Sequence, residues 1–325
     1  MFRFIVVLNW LFVLLLAGCD LSAVNSPYPA AESEKTVRYS SFMLRPKHLD
    51  PARSYSANES LITAQIYEPP FQYHYLKRPY TLEPLTAASM PEVELLDKNG
   101  EVLTAAQQTP DNVAFSRYTI TIRPGIAYQP HPAFAQDKSG QWLYHDIDET
   151  TSRHITSIMD FPQLATRELK AADYVYQIKR LAHPEVHSPI LGLMSEHIVG
   201  LGDFAAALGK MRQQGQAIDL RELQISGVQV IDDHRYQITV YEQYPQLKYW
   251  LAMPFFAPIP WEADVFYQQT LLIDKNITLD WYPVGTGAYY MTENDPNRRM
   301  VMLKNPNYHG EIYPSEGSPG DAAAG

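Results

Sequence analysis

The chain has 325 residues, a formal charge of −10, 46% hydrophobic and 19% charged residues, and one cysteine. That balance excludes a disordered chain, and the length allows two domains with sizeable cores. Net acidity argues against nucleic acid as a partner, because phosphate binding needs clustered Lys and Arg, and a lone thiol excludes an internal disulfide framework.

In chain order, Arg3 supplies a positive start and Phe4 to Leu16 is almost wholly apolar, closing on Leu16-Ala17-Gly18-Cys19. This is the pattern of a secretory signal peptide over residues 1–18, and its apolar core is too short for an ordinary transmembrane helix. The small-small-Cys ending resembles a bacterial lipobox. That resemblance implies that Cys19 carries the lipid and becomes the mature N-terminus; an ordinary signal beside an incidental cysteine is the alternative. Asp20 resembles the residue that retains enterobacterial lipoproteins in the inner membrane. Residues 19–35 are polar, with Pro27 and Pro29, and read as a lipid-anchored tether.

A short strand is expected at Thr36 to Ser40, a turn at Leu49-Asp50-Pro51, and a helix from Ser60 to Tyr67 that Pro69-Pro70 must end. Tyr118, Ile120 and Ile122 alternate with polar residues, as in a half-buried strand, and Pro124-Gly125 closes it as a turn. From Ala127 to Pro162 the pattern is irregular, so an elaborated loop with His131 and His145 on its surface is expected. Tyr174, Val175, Ile178 and Leu181 share one face of a helix over Ala171 to Ala182. Asp203 is placed to cap a second helix bearing Phe204, Leu208 and Met211. Ile225 to Ile231 and Tyr236 to Tyr241 flank a four-residue turn, Gln246 to Met253 suits a short helix, and Tyr289 to Met291 and Met300 to Leu303 suit strands. Residues 315–325 carry no apolar pattern and read as a disordered tail.

Five phrases in order resemble the family 5 extracellular solute-binding proteins, the oligopeptide- and dipeptide-binding components of bacterial ABC importers. They are Leu49-Asp50-Pro51 with Tyr67-Glu68-Pro69; Ile122-Arg123-Pro124-Gly125-Ile126-Ala127-Tyr128; Lys170 to Tyr176; Pro283-Val284-Gly285-Thr286-Gly287-Ala288-Tyr289; and Asn305-Pro306-Asn307-Tyr308. Asp50, Glu68, Gly285, Thr286, Gly287 and Tyr289 are read as motif residues with structural duties. Asp50-Pro51 is expected to fix a turn, Glu68 to anchor hydrogen bonds, and Gly285 and Gly287 to supply backbone angles closed to other residues. Lys170 stands where the family commonly has Thr, which weakens a helix cap, and Ala288 where Pro is commoner.

The resemblance implies an α/β, periplasmic-binding-protein type II-like fold. Lobe I would comprise residues 36–48 and 242–314, incomplete, with a small α+β subdomain at 49–241 and the second lobe absent, as in a truncated product or a fragment. It implies a peptide or peptide-like ligand contacted by Tyr55, Ser56, Ala57 and Ile190, delivery to importer permease subunits, a membrane held through the lipid anchor at the periplasmic face, and no catalysis. Murein fragments and nickel or haem chelates remain open as ligands. Most tyrosines, Tyr73, Tyr75 and Tyr80 included, are assigned to packing.

Two other readings stand beside this one. A non-transporting envelope lipoprotein would use the same body as an interaction module. A metal hydrolase could use His183-Pro184-Glu185-Val186-His187, two histidines four apart, but Pro184 spoils the shared helical face that the spacing requires. No motif requires a cofactor, and no metal site is expected.

Overall fold

A computed structural model describes residues 40–41, 44–295, 297–311 and 314. Cys19, Asp20, the tether, most of the expected Thr36–Ser40 strand and the 315–325 tail lie outside the described residues. Leu44–Gly325 forms one compact unit, and all that follows concerns it.

Helix α1, Ala57–Ile66, begins three residues before the expected Ser60 because Ser56 and Glu59 cap it reciprocally. It stops before Pro69-Pro70 as the prolines require. Strands β1 (Phe71–Tyr73) and β2 (Leu82–Pro84) form a small antiparallel hairpin. A four-stranded antiparallel sheet follows, built from β3 (Glu92–Leu96), β4 (Phe115–Thr121), β5 (Val228–Asp232) and β6 (Arg235–Tyr241) in the order β3-β4-β6-β5. In β4 the buried residues Ser116, Tyr118 and Ile120 alternate with half-buried ones, the period-two pattern of a strand with one covered face. The turn after β4 uses Gly125 at φ 82°.

The β5–β6 turn is shorter than expected. Asp232 pairs with Arg235 in register, leaving Asp233-His234 as a two-residue loop. Asp232 makes the tight turn possible: its carboxylate accepts from the His234 N–H and from Arg235 Nε, at 3.0 and 2.7 Å.

Between α2 (Glu149–Ser152) and the sheet's return, helices α3 (Ala171–Leu181), α4 (Leu191–His197) and α5 (Leu201–Gln213) follow one another. Helix α3 packs against β5 and β6. Tyr174 stacks on Tyr236 across that contact with ring centroids 5.2 Å apart, and both are fully buried. As the Lys-for-Thr exchange suggests, no side chain of Lys170 caps α3; instead Asp173 reaches back to the Lys170 N–H at 3.0 Å. Helix α5 starts at Leu201, so Asp203 is not its cap. Gly200, at φ 76°, holds that position, and Asp203 sits in the first turn, where an acid still favours the helix dipole.

The C-terminal part carries α6 (Leu247–Trp250), α7 (Trp261–Tyr267), α8 (Thr270–Ile273) and a hairpin of β7 (Tyr289–Asp295) and β8 (Arg299–Lys304). The structure departs most from expectation over Ala127–Pro162. Its backbone is irregular, broken by short turns at Pro132–Phe134 and Ile158–Asp160, yet it is core: Tyr128, Phe134, Tyr144 and Ile147 are buried. His131, expected at the surface, is only 2% exposed, and His145 is half-buried with its ring stacked on Trp142. Both histidines have internal partners that replace water. His131 Nδ1 accepts from the Ala133 N–H, and its Nε2 lies 2.8 Å from the Tyr267 hydroxyl; His145 Nε2 lies 2.8 Å from the Ala133 carbonyl.

Candidate ligand-binding face and the network beneath it

The stretch Tyr55-Ser56-Ala57 lies exposed at the start of α1. Glu59 organises it. Its carboxylate accepts from the N–H groups of Tyr55 (2.8 Å), Ser56 (3.0 Å), Lys47 and His48 (both 3.1 Å), while Ser56 Oγ accepts from the Glu59 N–H. Burial pushes the Glu59 carboxyl up, and these backbone donors bring it below its ordinary value. The backbone is therefore fixed while the Tyr55 side chain, 70% exposed, projects into solvent with its ring 6.0 Å from that of buried Phe255.

Phe255 is held from below. Its carbonyl accepts from Gln177 Nε2 at 2.9 Å, and the Gln177 side-chain oxygen accepts from Arg180. Arg180 is the centre of a buried ion cluster: Nη1 and Nη2 grip Asp50 at 3.0 and 2.7 Å, and Nε donates to Asp264 at 3.0 Å. Tyr176 and Gln268 also donate to Asp264, at 2.8 and 3.0 Å. For Asp50, burial raises the carboxyl, but the Arg180 charge and hydrogen bonds overcome it and the pKa lies below the ordinary value. Asp50 thus does more than fix the Asp-Pro turn. Five residues before Tyr55, it locks the turn to the middle of the protein. Asp280, beside it, pairs with Arg53, with His48 at 3.3 Å and with the Asp50 N–H at 3.1 Å; burial holds its carboxyl above the ordinary value.

A second guanidinium repeats the arrangement. Arg167 is bidentate to Asp173 (2.8 and 2.7 Å) and to Glu262 (2.6 Å twice), tying the start of α3 to α7. Sequence reasoning singled out none of Arg167, Arg180, Glu262 or Asp264. The available signal was in α3 itself, where Asp173, Lys179 and Arg180 fall in a helix buried from Asp173 to Leu181. Buried charges must be paired, so partners elsewhere in the chain were required.

The motif residues meet in one knot. Glu68, 5% exposed, accepts from Thr286 Oγ1 at 2.7 Å and lies 3.0 and 3.1 Å from His309 Nε2, so it is the hydrogen-bond anchor expected of it. Gly285 and Gly287 work differently from the expectation: neither has a positive φ. They are needed because α1 presses on them. A Cβ on Gly285 would stand 1.9 Å from the Ile66 carbonyl oxygen, and one on Gly287 would stand 2.6 Å from that of Gln65. The Gly287 N–H uses the closeness, donating to Ile66 O at 2.9 Å. Asn305 donates to the Gly287 carbonyl at 2.9 Å, and Asn307 to that of Tyr128 at 2.8 Å. Glu68, the Gly-Thr-Gly turn, the Asn-Pro-Asn phrase and Tyr128 are thereby joined. Tyr289 is half-buried at the start of β7.

Ile190, expected at the ligand, is 3% exposed, in the core at the start of α4. Tyr73, Tyr75 and Tyr80, assigned to packing, are 45%, 66% and 68% exposed, because the β1–β2 hairpin projects them outward. His183 and His187 share no helix. Helix α3 has ended at Leu181, and His187 sits at φ 56°. Among the described residues no group of three His, Cys, Asp or Glu could hold a metal ion, and no helix is long and apolar enough to cross a membrane.

Residues 166–319 match the model for the bacterial extracellular solute-binding proteins, family 5 Middle. The periplasmic oligopeptide-binding protein OppA of Salmonella typhimurium is 32% identical over 139 residues, 42% of this chain and 22% of that protein; OppA of Escherichia coli is 28% identical over the same shares. Among solved structures, Helicobacter pylori DppA in complex with the peptide STSA aligns at TM-score 0.48 and 18% identity, covering 82% of this chain and 38% of that one. The Escherichia coli murein tripeptide-binding protein MppA aligns at 0.49 and 15%, covering 81% and 37%. This chain therefore spans well under half the length of the proteins it matches. The family model lies across α3, Arg167, Arg180 and the Gly-Thr-Gly turn, so it is this part of the chain that is similar to the family 5 bacterial extracellular solute-binding proteins.

Proposed function

We propose that this protein captures an oligopeptide or similar solute outside the cytoplasm and hands it to the permease of a peptide-type ABC importer. The observation that carries the reading is Tyr55. It is an exposed aromatic ring on a backbone fixed by Glu59 and supported through Phe255, Gln177 and Arg180, in a chain that carries this family's model. An aromatic side chain with a polar tip suits a tolerant peptide pocket, and a rigid mount lowers the entropy lost on binding. Ser56 and Ala57 would contact the ligand beside it. Nothing in the reading calls for catalysis. Cys19 would carry the acyl chains that keep the protein at the periplasmic side of the inner membrane. The expected domains are lobe I from residues 36–48 and 242–314 and the subdomain from 49–241.

Calorimetric titration of the purified protein with defined peptides tests the binding, with Tyr55→Ala as the paired variant. Saturable binding weakened about tenfold in the variant, a loss of ~1.4 kcal/mol, supports the reading. Peptide hydrolysis above background overturns it. Radiolabelled palmitate incorporation that disappears in Cys19→Ser tests the anchor separately.

A further inference from the structure

Two hairpin turns in this chain are built alike. Asp97-Lys98-Asn99-Gly100-Glu101 follows β3, and Asp137-Lys138-Ser139-Gly140-Gln141 lies in the irregular segment. In each, the aspartate N–H donates to the carbonyl four residues on at 2.9 Å, and the glycine N–H donates to the aspartate carbonyl, at 3.0 and 3.1 Å. The aspartate Oδ1 accepts from the N–H two residues on (2.8 and 2.7 Å) and four residues on (2.9 and 3.0 Å). The glycines stand at φ 83° and 85°, and flanking bridges pair Leu96 with Val102 and Gln136 with Trp142. The twins differ in chemistry at their third residue. Ser139 has no electrophilic carbon there, whereas Asn99 brings a carboxamide beside the backbone nitrogen of Gly100. Asn99 is the only asparagine in the sequence followed by glycine.

We propose that Asn99 is a modification site, whose side chain deamidates in the folded protein, through a succinimide, to a mixture of isoaspartate and aspartate. The Gly100 nitrogen attacks Asn99 Cγ. A bond from that nitrogen to Cγ forms, the Cγ–Nδ2 bond breaks, and ammonia leaves with the proton the nitrogen gave up. Water then opens the ring: addition at Cγ gives an aspartate on a normal backbone, and addition at the main-chain carbonyl reroutes the chain through Cγ as isoaspartate. Water is the only reagent consumed. The side chain of the following residue ordinarily hinders the attack, but Gly100 has none, and among the described residues nothing lies within 4 Å of where its Cβ would stand. Residues 98–101 are exposed, so water reaches the turn, and the Gly100 N–H bond to Asp97 opens more readily at a hairpin end than in the core. The product also changes the turn. Asn99 Nδ2 donates to Asp97 Oδ2 at 3.2 Å, and the Glu101 and Asn99 N–H groups hold the Asp97 carboxyl below its ordinary value. Deamidation therefore replaces a donor to an ionised carboxylate with a second carboxylate, and attraction becomes repulsion.

The test ages the purified, folded protein in mildly alkaline and in mildly acidic buffer and maps its peptides by mass. The peptide containing Asn99 should gain about 1 Da, faster in the alkaline buffer, and should become a substrate for methyl transfer by a protein isoaspartyl methyltransferase. The peptide containing Asn112, exposed but followed by Val113, should keep its mass, as should the one containing Ser139. Asn99→Ser copies the twin turn, so it should abolish the gain and leave the unfolding midpoint unchanged. In the aged protein the N–H groups of Asp97 and Leu103, which bond across the hairpin, should exchange about threefold faster than in the fresh one. An Asn99 peptide of unchanged mass, after an alkaline incubation that deamidates the excised peptide 92–103, overturns the proposal. So does a gain at Asn112 that keeps pace with Asn99, or a gain that persists in Asn99→Ser.

Discussion

Replacing Arg180 with Met removes one positive charge from a site where two carboxylates face it. The side chains of Arg180, Asp50 and Asp264 are 4%, 7% and 10% exposed, so water cannot take its place. Arg180 makes four side-chain hydrogen bonds, two to Asp50, one to Asp264 and one to Gln177. Breaking a buried pair in this way costs about 3–5 kcal/mol, a large part of the ~5–15 kcal/mol that holds a domain folded. Urea unfolding should register that loss as a lowered midpoint with little change in slope. The pH dependence sharpens the test. In the native protein Asp50 has a lowered pKa, so its contribution is complete above the unfolded value of about 3.9 and is lost as pH falls through the lower folded value. Without Arg180, burial, the largest influence on Asp50, is opposed only by the Ala52 N–H and the Arg53 charge, and the pKa should rise. Its protonated form then suits the fold, and the variant should become relatively more stable as pH falls from 7 towards 4. Arg180→Lys should recover only part of the loss, since a point charge cannot reproduce the fork to Asp50. A midpoint shift worth less than about 1 kcal/mol, or a variant with the native acid profile, would refute the reasoning.

Gly285→Ala should destabilise by about 3 kcal/mol, because its Cβ meets a backbone oxygen that cannot move aside, whereas Gly192→Ala, in open space on α4, should be neutral or slightly stabilising in the same thermal scan. His131 is held neutral by burial, its pKa depressed from 6.5 to about 3. The unfolded chain takes up a proton there first, so stability should fall by about 1.4 kcal/mol per unit as pH drops below 6.5; urea midpoints of His131→Gln should lack that part of the slope. Glu68→Gln should cost about 1–3 kcal/mol by loosening Thr286 and His309, measured as a fall in unfolding midpoint.

The regular parts of the fold were legible in the sequence because they repeat. Alternation in β4 and the three-to-four spacing in α3 both register a covered face. The helix that Pro69-Pro70 ends was legible through the missing N–H of proline. The 127–162 segment was not, because an irregular backbone leaves no period to read even when its side chains, His131 and Tyr128 among them, are fully buried. At the site, the phrases Asp50-Pro51, Glu68 and Gly285-Thr286-Gly287 marked the right positions, but their partners lie far along the chain. Arg180 reaches Asp50 across 130 residues and Thr286 reaches Glu68 across 218, and such pairings leave no local signal. The exposed tyrosines were misassigned for a related reason: composition counts rings and cannot say that a hairpin turns three of them outward.

Native mass spectrometry of the protein, purified from its own envelopes without denaturant, tests the solute-capture account most directly. The account predicts a peptide-sized mass retained at one per chain, displaced by added peptide and lost in Tyr55→Ala. A preparation that carries no solute and takes up none from a peptide mixture, while remaining folded, would contradict it.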